Sequence, residues 1–411
     1  MDFKQKDNMI HYFNPGHETA VLNASPYFTP AANQVKMQQD LAFLPAWYAG
    51  SPNDFVWIDN DLPTDFINST VSFTHLAKTV GINDIADKKH LLSGVEVSPW
   101  GISPQSIRFF ENLSTHHELN LQLPQWKNEY IQLCSRQTAK KCLEFIIENQ
   151  PEISNNIVPQ FFTTIEDIEN VVTSSQVELL AKAPYSSSGR GLLWLPPAKL
   201  HQSEKQIISG ILKKQFSISL EKVLDKRIDF AMLFRSDGCG NIEFTGLSLF
   251  ETNKKGVYDK NIVASQSKIQ NKLKTFIDID LLEKVKNTLM LFLNQTFGSV
   301  YKGCIGIDMM IYAENNNFKL QPCVEINMRN TMGLLAFRLY QYFFREDAAG
   351  YFKIDFSNST GEILQKHMEM LQLYPAEFSN GKIKSGYLSL CPVSKDSKYW
   401  AYIVCSLQEP T

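Results

Sequence analysis

The segment GCIGIDMMIYAENNNFKLQPCVEINM, residues 303–328, constrains this chain more than any other. Two apolar runs flank an asparagine triplet, the pattern of a β-hairpin. A carboxylate interrupts each run, Asp308 in GIDMMIY and Glu325 in CVEINM. A tight turn at Asn316–Asn317 sets Asp308 opposite Glu325, with Cβ atoms about 5 Å apart. Side chains alternate along a strand, so Asn327 and Arg329 share the face of Glu325. Two carboxylates that close repel unless a cation intervenes. Oxygen donors on rigid strands suit Mg²⁺ bridging phosphates. A solvated hairpin face with a shifted turn fits the same residues, but the run E-x-N-x-R with an aspartate upstream is the more specific reading.

A second segment, LLAKAPYSSSGRGLLWLPP at residues 179–197, places a small-residue loop between two apolar strands. Gly189 and Gly191 around Arg190 let the backbone turn tightly and approach a ligand. The amides and hydroxyls of Ser186, Ser187 and Ser188 suit phosphate oxygens. Lys182 lies in a strand, where an ammonium buried alone is costly; a nucleotide phosphate is one anion that would match it. The loop is not a Walker P-loop, because the glycines run into LLWLPP, whose prolines stop a helix. A surface hairpin with a solvated lysine is the alternative. Between the two segments, EKVLDKRIDF offers an apolar edge for a base at Glu221, Lys222 and Val223. Asp229 follows, an acid for ribose hydroxyls; as single residues Glu221 and Asp229 also fit surface charges.

The remaining chain frames these segments. MIHYF, DFVWID, TVSFTHL and GVEVSPW read as short strands of an α/β layer over residues 1–130. PQSIRFFENL, SRQTAKKCLEFIIENQ, TTIEDIENVVTSS, LLEKVKNTLMLFLNQTFG and LLAFRLYQYFFRED read as helices. DFAMLFRSDGCGNIEFTGLSLF reads as a hairpin turning at Asp237–Asn241, and SGYLSLCPV with YWAYIVCSL as a closing strand pair. A length of 411 residues exceeds one ordinary core, so several domains are expected. A net charge of −3 gives no global field for nucleic acid or anionic lipid. No apolar run approaches the roughly 20 residues that span a bilayer. Seven scattered cysteines without a CxxC pair, and an N-terminus without an apolar signal core, point to a reducing, cytoplasmic setting.

In order and spacing, the flap K-x-P-x-S-x-x-G-R-G, the E-K-x-L segment, the aspartate and E-x-N-x-R together resemble the ATP-grasp superfamily, over residues 130–345. The resemblance implies an ATP-grasp fold, α+β, preceded by a Rossmann-like α/β domain. Its parts would be a preceding domain at 1–130, a lid subdomain at 131–215, a large subdomain at 216–350 and a C-terminal extension at 351–411. ATP and Mg²⁺ are the implied cofactors. Asp308, Glu325 and Asn327 would hold the metal. Lys182 would contact the α- and β-phosphates under the Ser186–Gly191 loop, with the base at Glu221, Lys222 and Val223 and the ribose near Asp229. Arg329, Arg190 and Lys182 would stabilise the transferred phosphoryl group. Such families often carry a lysine at the start of the first helix of this unit. This chain has Arg136 there, with Lys140 and Lys141 one turn on, so the phosphate-binding cation stays open.

The implied reaction joins a carboxylate to an amine through an acyl phosphate, on a small molecule or short peptide. A small-molecule kinase and a non-catalytic nucleotide-binding regulator are the alternatives. FNPGHETAVL places Asn14, Gly16, His17 and Glu18 just after a first strand, where open α/β sheets bind ligands; a solvated Asn-Pro-Gly turn is the other reading. Tyr258 and Asn261 are expected on a further loop over the cleft, and Trp47, Trp100 and Phe28 in the core.

Overall fold

The computed structural model describes residues 8–186, 191–253 and 255–406. Among these, two compact units are distinct. The first combines the residues up to Lys127 with Lys260–Gln266 and those from Arg329 on; the second comprises Asn128–Asp259 and Ser267–Met328.

The first unit opens with four short parallel strands: β1 (Met9–Tyr12), β2 (Phe55–Trp57), β3 (Lys78–Val80) and β4 (Glu96–Pro99), in the order β3-β2-β1-β4. This is the α/β layer expected from the sequence, and its strands run parallel. Parallel sheets bury both faces. Here Ile10, Tyr12, Trp57 and Val97 pack with Phe110 and Leu113 of the helix Pro104–His117. That helix is capped by Ser103, whose hydroxyl accepts from the Ser106 amide, with proline at its first turn. TVSFTHL is not a strand. Residues 64–70 are helical, the Thr70 hydroxyl donates to the Phe66 carbonyl, and the strand comes later at Lys78–Val80.

The second unit holds a four-stranded antiparallel sheet of β5 (Gln160–Phe162), β6 (Leu179–Lys182), β7 (Leu192–Leu195) and β8 (Ile218–Lys222), in the order β5-β8-β6-β7. Ile168, Val172 and Ile208 of two helices cover it. The long strand β9 (Asp225–Asp237) pairs with β10 (Ile242–Thr252) through the expected glycine-rich turn. The next strand, β11 (Tyr258–Val263), takes in Tyr258 and Asn261, so neither lies on a loop; Asn261 is buried. The hairpin strands are β12 (Lys302–Glu314) and β13 (Asn317–Asn327), with β9 on the other side of β12.

In the first unit, β14 (Ala349–Phe356) pairs with residues 260–263 of β11 and with β17 (Tyr399–Ser406); β17 pairs in turn with β16 (Lys382–Ser389), and β16 with β15 (Glu377–Ser379). The expected closing strand pair is therefore β16 and β17. Trp47 and Trp100 are core residues, as expected, in one apolar cluster with Phe343, Phe352 and Ile403. Phe28 is only half-buried.

Candidate functional site

The acid-bearing hairpin comes first. Asp308 and Glu325 are direct partners across β12 and β13. The route to that pairing differs from the expected one. The tip is Asn315–Asn316, both at positive φ (51° and 63°), and Glu314 pairs with Asn317. Two adjacent left-handed residues make the turn that matches strand twist, and asparagine tolerates it. An uninterrupted ladder from this tip would set Asp308 against Cys323. Instead the register shifts between Asp308 and Met310, and Met310 pairs with Gln321. One residue on β12 faces three on β13, Pro322, Cys323 and Val324. Proline, which has no amide to donate, sits where the ladder is already broken.

Asn327 donates from its amide nitrogen to Asp308 Oδ2 at 3.1 Å. Asp308, Glu325 and Asn327 therefore converge on one face. Among the described residues no third acid, histidine or cysteine joins them. Two carboxylates and an amide suit Mg²⁺, which takes few protein ligands and completes its shell with water and phosphate oxygens.

Basic side chains line the next wall, and each has an acidic partner. Arg136 donates from Nη2 to Glu325 Oε2 at 2.8 Å, with side chains 9% and 23% exposed. Lys182, buried in β6, pairs with Glu221 of β8, its diagonal neighbour; Ser219 stands directly opposite Lys182 and Glu221 opposite Leu180. The buried ammonium thus finds its anion within the chain, and its burial alone does not call for a phosphate. Arg136 likewise is engaged by protein atoms, as Lys182 is. Asp229 accepts from Lys226 Nζ at 2.6 Å and from the Thr252 hydroxyl at 2.7 Å.

These groups border a cleft of about 440 Å³ within the second unit. Arg136, Lys182, Glu221, Asp229, Asp308 and Glu325 all line it. So do Lys222 and Val223, with Leu180, Trp194, Phe250 and Met310 supplying apolar wall. Lys226, Thr252, Met309 and Gln321 were missed from sequence. The signal for Lys226 was its spacing of three from Asp229; that for Thr252 exists only in the pairing of β9 with β10. Ser186 and Gly191 bound the flap, and the Ala183 amide donates to the Gly191 carbonyl at 3.0 Å, closing its neck. Ser187, Ser188, Gly189 and Arg190 lie outside the described residues.

The expected strand face ends before Arg329: β13 stops at Asn327, and Arg329 belongs to the first unit. There its Nε donates to Glu18 Oε1 and its Nη1 to the Asn330 carbonyl. Glu18 and Arg329 side chains are 17% and 15% exposed, and the guanidinium helps hold the Glu18 carboxyl below its usual range against the opposing effect of burial. Beside them, burial pushes the His17 imidazole down to about 4. The Asn14 amide clamps Gly101, donating to its carbonyl at 2.8 Å and accepting from its nitrogen at 3.1 Å. Gly16 precedes the short helix His17–Asn23. The expected Asn14, Gly16, His17 and Glu18 thus form one local cluster at the end of β1.

No family model matches the sequence, and no curated protein matches it. The fold is similar to solved structures at low identity. N5-carboxyaminoimidazole synthetase from Staphylococcus aureus, complexed with ADP, is 13% identical over 100% of this chain and 96% of its own, with a TM-score of 0.48. A biotin carboxylase β,γ-ATP complex from Campylobacter jejuni is 10% identical, over 97% and 87%, at 0.48. An L-amino acid ligase from Bacillus licheniformis is 11% identical, over 98% and 94%, at 0.43. Among the described residues no helix is long and apolar enough to cross a membrane.

Proposed function

We propose that the chain is an ATP-grasp protein, an ATP- and Mg²⁺-dependent ligase that joins a carboxylate to an amine on a small molecule or short peptide. The observation that carries the nucleotide and metal part is the pairing of Asp308 with Glu325, with Asn327 bonded to Asp308, at the border of a cleft that also holds Lys182 and Asp229. The ligase part rests on the ordered sequence motifs.

In this reading the base lies against Leu180, Val223 and Met310, with backbone groups of residues 221–223 at its polar edge. Asp229 takes the ribose hydroxyls, and Lys226 and Thr252 fix its orientation. Lys182 exchanges Glu221 for phosphate oxygens; a buried ammonium already desolvated makes that exchange cheaper than stripping a solvated one. Asp308, Glu325 and Asn327 would hold Mg²⁺, which when bound neutralises charge on the phosphates. The Ser186–Gly191 loop excludes water from an acyl phosphate that would otherwise hydrolyse. Arg190 and Arg329 are the cations assigned to the transferred phosphoryl group. Asn14, Gly16, His17 and Glu18 are assigned to the acceptor substrates.

The test is a screen of carboxylates against amines that follows ADP and inorganic phosphate. Phosphate released only when both partners are present supports ligation. A phosphorylated alcohol without free phosphate overturns it in favour of a kinase, and ADP binding without turnover for any pair supports a regulator.

A further inference from the structure

We propose that Arg136 is a positioning residue that sets Glu325 for the metal and ties the base of the flap to the metal-bearing strand, and that it does not contact phosphate. The metal part rests on the function proposed above; the tether does not.

Arg136 opens the helix Arg136–Asn149, whose N-cap is the Ser135 hydroxyl. Its own amide donates to the Pro184 carbonyl at 3.1 Å. Its Nε donates to the Ala183 carbonyl at 3.2 Å, Nη1 to the Val324 carbonyl at 3.4 Å and Nη2 to Glu325 Oε2 at 2.8 Å. One residue thus holds two consecutive carbonyls at the flap's neck and two consecutive residues of β13. The guanidinium is a rigid planar fork whose donors diverge. A lysine ammonium is a point charge and cannot span both sets.

Val324 lies inside the bulge, where the regular ladder fails. Every polar group so freed needs a partner. The Cys323 amide finds the Gln321 side chain at 3.0 Å, Pro322 has no amide, and the Val324 carbonyl finds Arg136. The bulge is what brings Glu325 opposite Asp308. Arg136 therefore supports the backbone irregularity that assembles the acid pair, and it fixes the carboxylate that the irregularity delivers. It holds Glu325 through Oε2. Lys182 has one carboxylate to exchange for phosphate, whereas Arg136 would have to release two backbone carbonyls, Ala183 and Val324, as well as Glu325, so its guanidinium is turned to positioning.

Arg136→Lys keeps the charge and removes the fork. In nucleotide-free protein, amide exchange at Ala183, Tyr185 and Ser186 and at Val324–Asn327 should quicken by about tenfold, while the helix Ile279–Thr296 is unaffected. With ADP present, Mn²⁺ affinity read by electron paramagnetic resonance should fall by about tenfold, the usual scale for losing a group that orients a metal ligand. ADP affinity without metal should stay within about twofold, since no phosphate contact is lost. Glu325→Gln tests the tether from its other end and should also quicken exchange at Ala183, Tyr185 and Ser186.

Unchanged exchange at both segments overturns the tether. Unchanged Mn²⁺ affinity in Arg136→Lys means a point charge suffices and overturns the positioning role. In Arg136→Gln, loss of metal-free ADP affinity as large as that in Lys182→Ala marks a phosphate contact and overturns the assignment. Wild-type protein that binds no ADP sinks the nucleotide reading and the metal half with it; the exchange result still decides the tether.

Discussion

The Asn327 amide donates to Asp308 at 3.1 Å across the β12–β13 hairpin, so its carbonyl oxygen and both facing carboxylates lie on one side of the sheet. Glu325→Gln keeps the side-chain volume and removes one charge from this set. Turnover should fall by about a hundredfold or more, the scale seen when one electrostatic contributor to a transition state is lost. The circular dichroism spectrum should be unchanged. Full activity in this variant would remove Glu325 from the metal site.

Lys182 and Glu221 form a pair in which the lysine is 7% exposed and the carboxylate 18%. Lys182→Ala should weaken ADP binding by about tenfold, as expected for losing one charge-assisted bond. It should also cost about 1–3 kcal/mol of stability, because it leaves Glu221 partly buried without its cation. The double change Lys182→Ala with Glu221→Gln should restore most of the stability and none of the affinity. Calorimetric titration and thermal unfolding separate the two.

Gly101 stands flat against the His17 ring: a Cβ built on it would lie 2.2 Å from His17 Cγ. The ring is buried, 1% exposed. Gly101→Ala should therefore destabilise the protein by about 2–3 kcal/mol, an overpacking cost. An unaltered melting temperature would contradict that packing.

The His17 imidazole titrates near 4 in the folded chain, below its ordinary value of 6.5. The unfolded chain then binds a proton first as pH falls. Stability contributed by neutral His17 is complete above pH 6.5, declines as pH drops from there toward 4, and levels off below. The full window is worth up to about 3 kcal/mol, at 1.36 kcal/mol per unit. In His17→Gln, urea melts at pH 7 and pH 4.5 should differ less than in the parent by most, but not all, of that margin, since pH 4.5 lies inside the window. An identical pH dependence in both proteins would exclude His17 as the titrating group.

Much of the local structure was legible in the chain. The helices Pro104–His117, Arg136–Asn149 and Ile165–Ser174 were expected from their apolar periodicity, and in the structure Ser103, Ser135 and Thr164 each accept from a backbone amide at their starts. The apolar runs around Asp308 and Glu325 are strands. The turn was misplaced by one residue, and the same pairing resulted only because the β13 bulge displaced the register by two. That bulge has a trace in Pro322, which a strand interior does not favour.

The sequence by itself determined most of the helices and strands, TVSFTHL and the strand Tyr258–Val263 excepted, and that two acids and an amide share a hairpin face, because those follow from periods of 3.6 and 2.0. Only the tertiary structure decided that Lys182 meets Glu221, that Arg136 reaches Glu325 across 189 positions, and that Arg329 leaves the strand to bond Glu18 across 311. Charges select partners by distance in space, and nothing in a local pattern records which of several distant opposite charges the fold will bring within 3 Å.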